Sequence, residues 1–308
     1  MIAVLLWGCA YLTYDYLTTR GLNNTTNAVR ESYYSALAQG SETNAEAPAD
    51  PMNGTAQVNE SDLVVEDDGL FSMDELLASE SKQNDATVNN TNKENITVVG
   101  ESLMQEQFAK LYEQNPDLVG WLKVNDDVEY PMVWRDNQFY MDHDYNGRYN
   151  AGGWIFLDER NATDMSDDSL LIYGHNMKYG EMFGELDEYL NKDHLRANPI
   201  VEIQPIWSKE KREYVVFALV DASMNPDHST YIKITEFNFD TDEAMNEYIR
   251  MLQEASVYDI PIDTQAGDQL ILLVTCSYEV PNGRLILCAR QLREDESADE
   301  IRAMFSGK

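Results

Sequence analysis

Three side chains far apart in the chain could together carry out acyl transfer: the imidazole of His175, the thiol of Cys276 and the guanidinium of Arg284. A free thiol is mostly protonated near neutral pH, so a nucleophilic cysteine needs a base or a positive neighbour. The histidine and the arginine supply both, and a guanidinium fork can also hold a developing oxyanion. Each group sits at an end of a short apolar run: Leu170-Leu-Ile-Tyr-Gly-His175, Leu270-Ile-Leu-Leu-Val-Thr-Cys276 and Arg284-Leu-Ile-Leu-Cys-Ala-Arg290. Such runs read as buried strands that deliver a terminal side chain to a rim, and Pro281-Asn282-Gly283 reads as the turn between the last two.

Duller explanations compete with these roles. A histidine that ends a strand is often only a hydrogen-bonded structural residue, and free cysteine is among the most buried residue types. A Cys276–Cys288 disulfide would silence the nucleophile, but strand alternation already accounts for both thiols. Arg290, at the far end of its run, reads as a solvated flank. His143-Asp144 has the chemistry of a metal-ligand pair, yet no second cluster stands at ligand spacing, so neither a metal nor another cofactor is expected. His194 and His228 fall in polar, loop-like stretches and receive no role.

The elements that must position this chemistry are mostly short strands. Leu118–Val124, Tyr130–Trp134 and Gly153–Leu157 are separated by glycine and Asn/Asp turns, a pattern that predicts a barrel or sandwich. A helix is predicted after a Ser102–Gln105 capping box, with Met104, Phe108, Leu111 and Tyr112 on one face and Pro116 as its stop. A second is predicted over Asp242–Ala255, capped by Thr241, with Ala244, Met245, Tyr248, Ile249 and Leu252 as its apolar stripe.

Composition sets outer limits. The 308 residues carry a formal net charge of −33, which excludes a nucleic-acid binder. Met1 to Leu12 is apolar, with Asp15 the first charge, and falls short of the roughly twenty residues that span a bilayer. No clean small-x-small cleavage pattern follows, so a membrane anchor is favoured over a cleaved signal. From about Gly40 to Gly100 the only cations are Lys82 and Lys93, the composition of a spacer that would let the enzyme reach outward. Within it, Leu70 to Leu77, capped by Ser72, reads as a transient helix in a disordered tether.

The strings Tyr173-Gly-His-Asn-Met177, Met182-Phe-Gly184, Thr275-Cys276 and Arg284-Leu-Ile-Leu287 occur in that order. Upstream stand Asn115-Pro-Asp-Leu-Val-Gly-Trp121, Tyr130-Pro-Met-Val133 and Ala151-Gly-Gly-Trp-Ile-Phe-Leu157. Together they resemble the sortases, the cell-wall transpeptidases of Gram-positive bacteria, over roughly residues 100 to 294, and the long segment before Cys276 resembles the class B branch. The resemblance implies a mainly β fold: a closed eight-stranded sortase-type barrel with an N-terminal helix and a helix in the connection before the nucleophile strand. The implied organisation is an N-terminal membrane anchor over 1–20, an acidic, largely disordered tether over 21–100, a catalytic domain over 101–294 and a C-terminal tail over 295–308.

What the resemblance implies chemically is that Cys276 attacks the carbonyl after the threonine of a sorting pentapeptide. His175 protonates the departing amine, and Arg284 with the backbone N–H of Ser277 holds the oxyanion. Substrate contacts are then expected at Asn137, Met141, Tyr231, Ile232, Thr275 and Ser277. The implied partners are secreted proteins with a C-terminal sorting signal and a cell-wall precursor amine, met at the cell membrane by an extracytoplasmic domain. One departure is visible: class B chains commonly read Thr-Leu-Ser-Thr-Cys, whereas here Leu272-Leu-Val-Thr-Cys276 lacks the first threonine and the serine, and Val274 has no hydroxyl to donate. Two other classes stay open: a membrane-tethered surface interaction module without catalysis, and a thiol protease. A papain-like protease places its cysteine first, on a helix, the reverse of the order here.

Overall fold

The computed structural model describes residues 2–42, 104–208, 210–277 and 282–307. Eight strands are present: β1 (Leu118–Lys123), β2 (Glu129–Trp134), β3 (Phe156–Leu157), β4 (Ser169–Tyr173), β5 (Ile200–Pro205), β6 (Arg212–Ser223), β7 (Leu270–Ser277) and β8 (Gly283–Gln291). They close in the order β1-β2-β3-β4-β7-β8-β6-β5, so the expected eight-stranded barrel is the observed fold. Closure leaves no strand edge unpaired. Two pairs are parallel, β2 with β3 and β4 with β7, and the rest are antiparallel. β4 is buried along its whole length, as is β8 from Gly283 to Arg290, which is why these runs are continuously apolar rather than alternating.

Among the described residues five α-helices accompany the barrel: α1 (Ile2–Glu42), α2 (Glu106–Gln114), α3 (Lys192–Ala197), α4 (Asp242–Glu254) and α5 (Ala298–Phe305). α4 lies in the β6–β7 connection as expected. Its cap is Thr241, whose Oγ1 accepts from the Ala244 N–H at 3.2 Å, and it buries Met245, Tyr248, Ile249 and Leu252. Ala244, expected in the stripe, is exposed, because its neighbour Met245 begins the i, i+3, i+4, i+7 row. α2 starts later than its predicted capping box. Its N-cap is Gln105, whose N–H bonds to the Ile206 carbonyl at 3.1 Å, while Ser102 lies outside the described residues. The expected strand from Gly153 shrinks to Phe156–Leu157, because the Trp154 N–H is taken by the Tyr140 carbonyl at 2.8 Å instead of a ladder partner.

Part of the expected tether is helix. α1 runs unbroken through residue 42, about 60 Å at 1.5 Å per residue, and its middle is docked on the barrel wall. Leu22 and Val29 are buried, and Tyr33 stacks on Trp121 with ring centroids 4.0 Å apart. Leu22 fills the space beside Gly152, where any Cβ would collide with it. Polar residues that read as spacer make specific bonds: Asn23 to Glu181, Thr25 to Asp144, and Arg30 to the Glu129 and Asp127 carbonyls. The tether boundary at residue 21 is therefore corrected. Residues 43–103, with the Leu70–Leu77 segment, lie outside the described residues. The expected C-terminal tail is also corrected, since α5 packs Ala298 and Ile301 against the domain behind a Ser297 cap. Among the described residues no helix is long and apolar enough to cross a membrane.

Candidate active site

The parallel register of β4 and β7 pairs Tyr173 with Val274, so His175 and Cys276, each two residues further on, leave adjacent strands at the same level. On the other side of β7, Cys276 is the direct antiparallel partner of Arg284. Imidazole, thiol and guanidinium thus stand in a row across three neighbouring strands spaced about 4.8 Å apart. Gly174 precedes the histidine because the Phe183 ring lies against its Cα; a Cβ there would sit 2.8 Å from the ring. Cys276 is partly exposed, and both it and Cys288 are free. The disulfide is ruled out by register, since Cys288 pairs with Leu272. Burial pushes the Cys288 thiol far up, so it remains an inert hydrophobe.

His175 donates from Nε2 to the Met141 carbonyl at 2.6 Å. A carbonyl only accepts, so Nε2 carries the hydrogen and Nδ1 is the nitrogen left for proton exchange. Desolvation lowers the imidazole pKa below its ordinary value, and the nearby Arg284 charge lowers it further, against the Met141 carbonyl and Asp142, which raise it. The net lowering favours the neutral ring, the form able to accept a proton from a thiol.

Arg284 is only 3% exposed. Its Nη1 donates to the Gly283 carbonyl at 2.8 Å, while Nε and Nη2 are buried with no hydrogen-bond partner among the described residues. Buried unpaired donors on a cation are costly, and an incoming carbonyl oxygen or oxyanion would satisfy them. Arg290, read from sequence as a solvated flank, is instead 1% exposed. It bonds to Glu296 through both Nη atoms, at 2.5 and 2.6 Å, and to the Asp263 carbonyl through Nε at 2.7 Å. Its acceptors come from segments that only the fold brings to it.

The expected substrate contacts divide. Met141 is buried and serves the site through its backbone carbonyl, the acceptor for His175. Asn137 is 3% exposed, and its Oδ1 accepts from the Glu159 N–H at 2.8 Å, tying two loops together. Thr275 is fully buried and, by alternation, points to the face opposite Cys276, so its side chain does not join the thiol. Tyr231 is half-buried and Ile232 buried in the β6–β7 connection. Ser277 is the last residue of β7, paired with Gly283. His143 stacks on Phe139, with centroids 4.3 Å apart, and no group of three or more His, Cys, Asp or Glu able to hold a metal occurs among the described residues.

Sequence reasoning missed Asn176 and Asp187. The Asn176 Nδ2 lies 2.9 Å from the Cys276 carbonyl oxygen and 3.1 and 3.0 Å from the two carboxylate oxygens of Asp187. Asn176 was visible only as a letter in the Tyr-Gly-His-Asn-Met string; nothing in the sequence placed Asp187 beside it.

Comparison with known proteins agrees with this geometry. A family model described as the sortase domain matches residues 123–292. Sortase B of Listeria monocytogenes is 32% identical over 188 residues, 60% of this chain and 73% of that protein. Among solved structures, sortase B from Bacillus anthracis in complex with AAEK1 is 29% identical with a TM-score of 0.55, covering 64% of this chain and 88% of that one. Sortase B of Clostridium perfringens is 26% identical with a TM-score of 0.53, covering 60% of this chain and 98% of that one.

Proposed function

The chain belongs to the sortase family of cysteine transpeptidases, in its class B branch, and on that premise we infer that it joins secreted proteins bearing a C-terminal sorting signal to a cell-wall amine. In this reading His175 Nδ1 takes the Cys276 proton, and the thiolate adds to the carbonyl carbon of the signal's threonine. Arg284 Nε and Nη2, with the Ser277 N–H, receive the oxyanion. The imidazolium returns the proton to the departing amine as the C–N bond breaks, leaving a thioacyl enzyme. An acceptor amine then adds to the thioester, gives up its proton to the imidazole and releases the thiolate, forming a new amide. The apolar run from Met1 to Leu12 is read as the element that holds the enzyme at the membrane, with the domain on the outer side.

The observation that carries the reading is the row of His175, Cys276 and Arg284 at the ends of three adjacent strands, with two guanidinium nitrogens of Arg284 unused by the described residues. The test is a panel of fluorogenic threonine-containing pentapeptides incubated with the purified chain, with and without a small amine. Cleavage that disappears in Cys276→Ala and yields the amine adduct is the expected result. Cleavage without adduct would make the protein a thiol protease, and no cleavage of any peptide would make it a surface interaction module.

A further inference from the structure

The parallel ladder between β4 and β7 ends one rung early. The Gly174 N–H donates to the Val274 carbonyl at 3.2 Å, and the next rung of a parallel pair would run from the Asn176 N–H to the Cys276 carbonyl. The chain peels away before it can form. Asn176 bridges to Met182 instead, and the His175 carbonyl accepts from the Phe183 N–H at 2.9 Å. The missing rung is made by a side chain: Asn176 Nδ2 donates to the Cys276 carbonyl at 2.9 Å. Its orientation is fixed by chemistry, because that carbonyl and the Asp187 carboxylate, 3.0 Å away, are both pure acceptors. One N–H of the amide thus serves Cys276 and the other Asp187.

We propose that Asn176 is a positioning residue of the transpeptidation reaction, a side-chain rung that locks the backbone of the proton carrier to the backbone of the nucleophile, with Asp187 orienting the amide. Asn176 directly follows His175, and its acceptor is the carbonyl of Cys276 itself. Without the rung, β4 beyond Gly174 is held to β7 by no other hydrogen bond among the described residues, and the imidazole can drift from the thiol. Proton transfer falls steeply with such displacement, whereas peptide binding does not depend on it.

The inference rests on the acyl-transfer reading, so the experiment separates the two. In the purified full chain, Asn176→Ala is expected to lower kcat about tenfold or more with the peptide KM within about twofold, and to slow alkylation of Cys276 by iodoacetamide. Asn176→Asp carries the sharper signature: a carboxylate repels the Cys276 carbonyl, but a carboxylic acid can donate to it. Beside the Asp187 carboxylate, 3.0 Å from this amide, the new carboxyl group is pushed toward its protonated form, so activity relative to the parent is expected to rise as the pH is lowered from about 8 to about 5. Asp187→Asn, at an exposed position, keeps the fold and is expected to lower kcat about threefold at unchanged Tm. Parent-like kcat and alkylation in Asn176→Ala, or parent-like kcat in Asn176→Asp at about pH 8, overturns the positioning role. Should Asn176→Ala not fold, a parent-like kcat in Asp187→Asn overturns it. A parent chain that cleaves no peptide sinks the acyl-transfer reading, and the alkylation rates then still decide whether Asn176 tunes the thiol.

Discussion

β8 carries a buried arginine near each end, and the two are treated in opposite ways. Arg284 and Arg290 are six residues apart, about 20 Å along the strand, and both face the side of the sheet that carries Cys276. Arg290 has every nitrogen engaged, with Glu296 gripping it in a fork and Asp268 3.8 Å from its Nε. Arg284 has one nitrogen bonded and two without a partner among the described residues. A buried cation whose donors are all met is part of the architecture; one held buried with donors unmet among the described residues suits the oxyanion role proposed for Arg284. In the proposed mechanism the same residue type on one strand is structural at one end and chemical at the other.

The largest effect expected from this contrast is on turnover. Arg284→Lys should lower kcat/KM about 100-fold, roughly 3 kcal/mol of transition-state stabilisation, because a point ammonium cannot replace the planar fork. Arg284→Met should be at least as inactive, yet its Tm should hold or rise, since it removes a buried charge with two nitrogens unpaired among the described residues. Near-normal turnover in Arg284→Lys would break the comparison at the catalytic end.

The second effect is on stability. Arg290→Met strands Glu296 and should cost about 3 kcal/mol, or about 6–12 °C in Tm, while the folded fraction keeps its kcat. A calorimetric scan beside an active-site titration reads both. If Arg290→Met and Arg284→Met shift Tm alike, the distinction between the two ends is lost.

The smallest effect is on pH dependence, and it sharpens the catalytic end. Because burial and Arg284 depress the His175 pKa, the acid limb of kcat/KM should have its midpoint below the ordinary histidine value of about 6.5. The same depression makes the unfolded chain bind this proton first. Stability contributed by neutral His175 is therefore complete above about pH 6.5 and declines as pH falls below it, a component that His175→Gln should remove. An acid midpoint above the ordinary value would contradict the buried, cation-flanked imidazole.

Local signals were legible in the sequence and non-local ones were not. Thr241 announces α4 because capping depends only on the next three residues. The β7 and β8 runs are legible because both faces are covered, which leaves their middles apolar and confines polar residues to their ends. Arg290 was misread because Glu296 and Asp263 reach it through chain folding, and a charge at a strand end is ordinarily solvated. The docked part of α1 was misread as spacer for a related reason. Its polar residues Asn23, Thr25 and Arg30 dilute the apolar row of Leu22, Val29 and Tyr33, and their partners lie about a hundred residues or more downstream. The Asn176 rung was illegible because it exists only where a ladder fails.

That docking rearranges the plumbing of the whole chain. A polymer leash sets an enzyme's reach only if it lies between the point of attachment and the working part. Here the rod formed by α1 meets the barrel first, with Tyr33 against the Phe108 ring at 5.4 Å, and the long acidic stretch comes afterwards, between two helices already seated on the same wall. Because α1 makes its own contacts with the barrel wall, the distance from the first turn of the rod to the thiol is set by the helix. Whatever grips that first turn sets the bearing of the mouth as well as its height.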